Sequence, residues 1–286
     1  MSRIKVGEIE LAWRAWGEGD TTVLFIHGNL ASKDWIELAA PHFPRGVRTL
    51  AVDWRGCGDS DKPVPLPCYS NYSIARHADD MLGALDALGI GFCHLATHST
   101  GGIISTRMLL KQPERFGRVF SLSPVAPQSI DFPPEKAAFF DQMKKSKPLT
   151  RRIMAATCIS LFEPESLAEG PVRLKPDAGA RGALFDRIVD QTFAVSDGIW
   201  YGTPVTLTQE AQSGELKGLM SQVRHPHLVA WGTLDAVIQQ ADLTLMAQAM
   251  PDCRFVAVPG VGHSMNVEAP ELYAGYFGAW LGGLSS

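Results

Sequence analysis

Cysteine is scarce and scattered in this chain: Cys57, Cys68, Cys93, Cys158 and Cys253 are odd in number and never form a C-x-x-C pair. That spacing points to neither a thiolate metal site nor a disulfide framework, so a reducing compartment, the cytoplasm, is the expected location. Long apolar runs are missing too. None reaches the roughly 18 residues of a membrane span, so no membrane association is expected. The opening MSRIKVGEIELAWRAWGEGD breaks its apolar stretches with charges and lacks the apolar core and small-residue cleavage site of a signal peptide. Nor is there an excess of basic charge. With 26 Lys and Arg against 30 Asp and Glu the net charge is -4, which leaves no footprint for nucleic acid and favours a small-molecule substrate. Neither GEGD nor HSTGG has the spacing of a phosphate-binding glycine loop, and no feature calls for a metal, flavin or nucleotide, so no cofactor is expected.

What is present is an ordinary globular composition, 45% hydrophobic and 20% charged over 286 residues, with room for a large core. EIELAWRAWG alternates as a half-buried strand does, whereas TTVLFIHGN, VRTLAV, GFCHLATHS, GRVFSLSPV, HPHLVAWG and CRFVAV are short apolar runs bounded by Gly and polar residues. Helical patterns fall between them. From Tyr72 to Leu88 the spacing of Ile74, Met81, Leu82, Leu85 and Leu88 makes one apolar stripe, with Gly89 as its stop. TGGIISTRMLLKQPERF, ADLTLMAQAM and APELYAGYFGAWLGGL continue the alternation, which predicts an α/β protein with a mostly parallel sheet covered on both faces. Functional groups then belong at the C-terminal ends of the strands.

One segment breaks the alternation. Residues 124–224 show no buried strand, are rich in Phe, Met and Pro, and include helical stretches such as EKAAFFDQMKKS and ARGALFDRIVDQTFAV. Both flanks return to the same pattern, so the segment reads as a helical lid inserted into a core domain of residues 1–123 and 225–286.

Within LATHSTGGI, Ser99 lies between a short strand and a Gly-rich helix start, the setting of a nucleophile elbow. A serine hydroxyl is a weak nucleophile and needs a base, and the base needs an acid to fix its tautomer. In such elbows the order is Ser, acid, His. Of the histidines after Ser99, His225 and His227 enter a strand from its N-terminal side, leaving His263 in VPGVGHSM. Asp235 in LVAWGTLD follows a strand at its C-terminal end and is the expected acid. An oxyanion needs two backbone N–H donors; Thr100 supplies one, and Asn29 the other, with Leu30 as the alternative. Gly28 permits close backbone approach.

FIHGN, VDWRGCGDSDKP, HSTGG, WGTLD and PGVGHSMNVEAPEL stand in an order and at intervals that resemble the α/β-hydrolases, in their lid-bearing group of esterases, lactonases and carbon–carbon bond hydrolases. The resemblance covers nearly the whole chain. It implies the α/β-hydrolase fold and a Ser99–His263–Asp235 triad acting through an acyl-enzyme on a small, largely apolar ester or lactone. Haloalkane dehalogenases and epoxide hydrolases are similar around HGN and DWRGCGDSDKP but use an Asp nucleophile, so Ser99 sets this chain apart from them. Diketone or amide hydrolysis would suit the same residues, and a ligand-binding receptor on a hydrolase scaffold is the reading from another class. A monomer or a homodimer fits equally.

Thr97 departs from the family pattern G-x-S-x-G, in which Gly stands at this position. A β-branched residue there should strain the turn unless the facing residue is small. Trp35, Phe139, Met143, Trp200 and Met265 are the expected substrate-binding residues of an apolar pocket. His27 is expected to hold the oxyanion loop, and Asp53, Arg55 and Asp59 to serve as turn formers.

Overall fold

The computed structural model describes residues 2–282. Its eight strands are β1 (Ser2–Val6), β2 (Ile9–Trp16), β3 (Thr21–Ile26), β4 (Val47–Val52), β5 (Cys93–His98), β6 (Phe116–Leu122), β7 (His227–Gly232) and β8 (Cys253–Val258). They form one sheet in the order β1-β2-β4-β3-β5-β6-β7-β8. β1 and β2 pair antiparallel, as do β2 and β4, and every later pairing is parallel. β1 is an addition to the sequence reading. Its SRIKV carries two apolar residues among charges, too short a pattern to stand out, and it is held by its hairpin with β2 at an exposed edge.

The central strands are apolar on both faces because helices cover both. Leu24 and Ile26 of β3 face one apolar cluster and Val23 and Phe25 the other, all fully buried. The first cluster includes Met81 and Leu85 of α1 (Ile74–Ala87) and Ile103, Ile104 and Met108 of α2 (Gly101–Lys111). α1 stops where the pattern predicts: Leu88 caps it and Gly89 follows at φ 69.

Between β6 and β7 the chain runs through α3 (Pro134–Lys145), α4 (Lys147–Thr157), α5 (Pro164–Ala168), α6 (Gly179–Phe193), α7 (Asp197–Trp200), α8 (Gly202–Ser213) and α9 (Glu215–Gly218). These helices share the core's clusters, Leu207 with one and Phe185 and Ile188 with the other. Polar contacts fasten α6 to the loop after β3: Thr192 Oγ1 donates to the Leu30 carbonyl at 2.8 Å, and the Gln191 side chain bonds Ser32 and Asp34. After β7 come α10 (Gln240–Ala249), then β8, α11 (Met265–Glu268) and α12 (Pro270–Leu281), whose Tyr273, Phe277 and Trp280 fill the second cluster.

Candidate active site

β5 delivers Ser99 to the C-terminal edge of the sheet in a conformation that L-residues avoid, φ 53. Such a residue costs about 1–3 kcal/mol and persists only where its surroundings over-determine it. Here they do. The Ser99 N–H donates to the Leu122 carbonyl at 3.1 Å, and the Ser99 carbonyl accepts from Gly102 at 2.9 Å and Val125 at 2.8 Å. Two glycines make the close approach: a Cβ on Gly101 would run into the Ile26 carbonyl, and one on Gly28 would lie 2.9 Å from the Ser99 Cβ.

Thr97 is accommodated without a glycine because it faces Ser121 in register on β6. Its Oγ1 donates to Ser121 Oγ at 2.8 Å, and Ser121 in turn reaches His227 Nε2 at 2.8 Å. Burial, with the neighbouring His225, pushes His227 down to about 3, so its ring stands neutral in this contact. The three side chains form a buried polar ladder across β5, β6 and β7. The small facing residue is what relieves the expected strain.

Asp235 lies just past β7, where its N–H donates to the Gly232 carbonyl at 2.9 Å. Its Oδ1 accepts from the Val237 and Ile238 N–H groups at 2.7 and 3.0 Å, and its Oδ2 pairs with His263 Nδ1 at 2.9 Å. Burial raises the Asp235 carboxyl, but the His263 charge and hydrogen bond and the Ile238 N–H outweigh it and hold it below the usual range. An ionised Asp235 places the His263 proton on Nδ1 and leaves Nε2 as the basic nitrogen. His98 supports the same loop from beneath: desolvation first, then His263, keeps it neutral, and its Nε2 bonds the His263 carbonyl at 3.1 Å.

Ser99 and His263 line one cavity of about 220 Å³. Among the described residues the His263 ring pairs with Asp235, and the Ser99 hydroxyl makes no hydrogen bond to that ring. Asn29, Leu30 and Thr100 line the same cavity. Leu30 takes φ 56, which turns the chain after Asn29. His27 holds this loop as expected: Nδ1 bonds the Gly28 carbonyl at 2.8 Å and Nε2 accepts from the Trp54 N–H at 3.2 Å. Burial lowers His27 to about 4, so it serves as a neutral strut.

Asp53 braces its turn as expected, accepting from the Asp59 N–H at 2.9 Å, and Asp53, Arg55 and Asp59 form ion pairs as well. Lys33 is buried in the loop after β3, with Nζ 2.9 Å from Asp53 and 2.7 Å from Asp59. Burial pulls the ammonium down, but those carboxylates outweigh it and hold it above its usual value. Arg55 pairs with Asp80 of α1. The result ties the Asn29 loop to the loop after β4.

Residues 21–270 match the family model of the α/β hydrolase fold. The chain belongs to the α/β hydrolase family. A 2-(acetamidomethylene)succinate hydrolase of Mesorhizobium japonicum is 27% identical over 277 residues, covering 94% of this chain and 91% of that protein. A fluoroacetate dehalogenase of a Burkholderia species is 25% identical over 293 residues, covering 94% and 89%. In fold, the enol-lactonase of Burkholderia xenovorans superposes with a TM-score of 0.79 at 19% identity, over 98% of this chain and all of that one, 100%.

The cavity lies at the C-terminal strand ends, lined by Asn29 after β3, Ser99 after β5, Val125 after β6, Ile238 after β7 and His263 after β8. Of the expected substrate-binding residues, Trp35, Phe139 and Met143 line it. Trp200 and Met265 do not. Trp200, the last residue of α7, is fully buried and packs edge-on with Phe193, and Met265, the first residue of α11, is fully buried in the second apolar cluster. Cys57, also buried, is away from the cavity, and burial raises its thiol well above the usual range. The wall also takes Val125, Ile153, Leu207, Val237 and Ile238, which the sequence pattern did not single out. The Asn29 Oδ1, Trp35 Nε1 and His98 Nδ1 atoms are buried without a hydrogen-bond partner among the described residues.

Proposed function

We propose that the chain is a cofactor-independent serine hydrolase that cleaves a small, uncharged, largely apolar carboxylic ester or lactone through an acyl-enzyme. The observation that carries this reading is the Asp235–His263 pair, 2.9 Å apart, opening onto the same cavity as a Ser99 held at φ 53. Ser99 Oγ attacks the carbonyl carbon while His263 Nε2 takes its proton. Asp235 keeps the imidazole in the tautomer that can accept it and stabilises the imidazolium that forms. The N–H groups of Asn29 and Thr100 receive the oxyanion. His263 then returns the proton to the leaving alkoxide, and water releases the acyl group by the reverse sequence.

The substrate class follows from the wall. Phe139, Met143, Ile153, Leu207 and Ile238 are apolar, and no lysine or arginine stands among the lining residues. A carboxylate placed against such a wall loses its hydration without a partner, a cost of several kcal/mol. The Mesorhizobium relative is named for a dicarboxylate, so this reading separates the two proteins in substrate. We assign residues 124–224 the role of a lid, because α3 carries Phe139 and Met143 over the cavity from which Ser99 reacts.

The test is turnover of p-nitrophenyl esters of increasing chain length, wild type beside Ser99→Ala. The proposal expects turnover that peaks at a short or medium acyl chain and vanishes in the variant. Equal turnover by Ser99→Ala would remove the serine mechanism.

A further inference from the structure

Behind His263 lies a buried acidic residue that the mechanism above does not use. Glu268, the last residue of α11, is 1% exposed and turns back to meet the loop that carries the histidine. The Gly262 N–H donates to both Glu268 oxygens at 3.0 Å, and the Ser264 N–H donates to Oε1 at 3.2 Å. These are the residues immediately before and after His263. The fourth bond comes from the inserted helices: the Ser160 N–H donates to Oε2 at 2.9 Å. Both oxygens accept from backbone N–H groups, the pattern that suits a carboxylate; burial pushes the Glu268 carboxyl above its usual value, and the bonds from Ser160, Gly262 and Ser264 offset part of that rise. A Cβ on Gly262 would lie 3.0 Å from Oε1, so the glycine is what lets backbone and carboxylate meet.

We infer that Glu268 is the positioning residue for His263, and that the same carboxylate fastens the segment around Ser160 to the histidine loop. A buried carboxylate accepting several backbone N–H bonds is held by charge-assisted hydrogen bonds, roughly twice as strong as neutral ones. It clamps the backbone on both sides of His263, while the Ser264 N–H also reaches the Thr157 carbonyl at 2.9 Å. From the other side Asn266 Nδ2 donates to the Trp35 carbonyl at 2.8 Å, joining this segment to the Asn29 loop. The imidazole therefore inherits its place from a residue that touches neither substrate nor His263's own ring. Misplacement of a catalytic base by about 1 Å can cost about a hundredfold in rate. The inference rests on the proposed serine chemistry only for the consequence in rate; the clamp itself has a separate readout.

The experiment compares wild type with Glu268→Gln, which keeps the shape but sets an NH₂ against a backbone donor. Active sites are counted by fluorophosphonate labelling, kcat and KM are measured on a p-nitrophenyl ester per labelled site, and amide hydrogen exchange is followed by mass spectrometry. The expected result is kcat per site lower by about tenfold to a hundredfold with KM within about twofold. Exchange should speed up in peptides covering 157–161 and 262–268 and stay unchanged in β5 and α2. An unchanged kcat per site overturns the positioning role, including the case in which only the number of labelled sites falls. Unchanged exchange at 157–161 overturns the fastening of the insertion. A wild type that neither labels nor turns over removes the serine reading and the positioning role with it, whereas the exchange result still judges the clamp.

Discussion

The two loops that face each other across the cavity are fixed by different means. The turn after β5 is held by main chain: all the polar backbone atoms of Ser99 are bonded, and Gly101 and Gly28 let neighbouring strands and turns close on it. The loop after β8 is held by a side chain, the Glu268 carboxylate, with bonds that reach as far as the inserted helices. The first arrangement is rigid because it belongs to the sheet. The second leans on the Glu268 carboxylate, with further bonds from His98 to the His263 carbonyl, from Ser264 to Thr157 and from Asn266 to Trp35, so on the inferred clamp a perturbation around residues 157–160 is expected to reach His263 before Ser99.

The largest effect that sharpens this contrast is chemical. Ser99→Ala should lower kcat by about a millionfold, the scale on which a triad nucleophile acts, with an unchanged melting transition. Asp235→Asn comes next, about ten-thousandfold in kcat, because an amide at Oδ2 favours the wrong His263 tautomer. Steady-state kinetics with active-site titration measures both, and an Asp235→Asn enzyme within tenfold of wild type would contradict the assigned pair.

Stability effects are smaller and should fall on the elbow side. Gly101→Ala forces a methyl against the Ile26 carbonyl and should destabilise by about 1–3 kcal/mol or more, read from urea unfolding midpoints. Thr97→Val removes the donor to Ser121 but keeps the shape, and should cost about 1–2 kcal/mol with little change in fluorophosphonate reactivity. A large loss of reactivity in Thr97→Val without loss of stability would show that the buried ladder sets the geometry of Ser99, erasing the contrast between the loops.

The pH dependence tests three buried histidines, His27 just after β3, His77 in α1 and His227 at the start of β7. Unfolded histidine binds a proton near pH 6.5, whereas burial holds His27 down to about 4 and His77 and His227 to about 3. Between those values the unfolded chain binds more protons, so stability is full above about pH 6.5 and falls as pH drops. The slope is roughly 1.4 kcal/mol per pH unit for each histidine. Unfolding midpoints taken from pH 7 to pH 5 should decline accordingly, and a flat profile would contradict the assignment of neutral rings.

The sequence carried the sheet well because parallel strands buried on both faces read as short apolar runs, and Leu24 to Ile26 are typical of them. Ser99, Asp235 and His263 stand out by their place after strands, and the structure puts Asp235 in contact with His263 and lines one cavity with Ser99 and His263. The rest lay in tertiary contacts that spacing does not encode. Thr97 looked like a strained departure because its partner Ser121 lies on another strand, visible only once the register is known. Trp200 and Met265 were indistinguishable from pocket residues, since a core and an apolar pocket use the same side chains. Nothing in MNVEAPEL singles out Glu268, and only the fold shows the three backbone donors around it.

The central claim is that Ser99 is the nucleophile, and the most direct measurement is the intact mass of the protein after exposure to a fluorophosphonate, wild type beside Ser99→Ala. The account predicts one adduct per wild-type chain and none on the variant. A folded wild type that takes no adduct, or a Ser99→Ala chain that takes one, would contradict it.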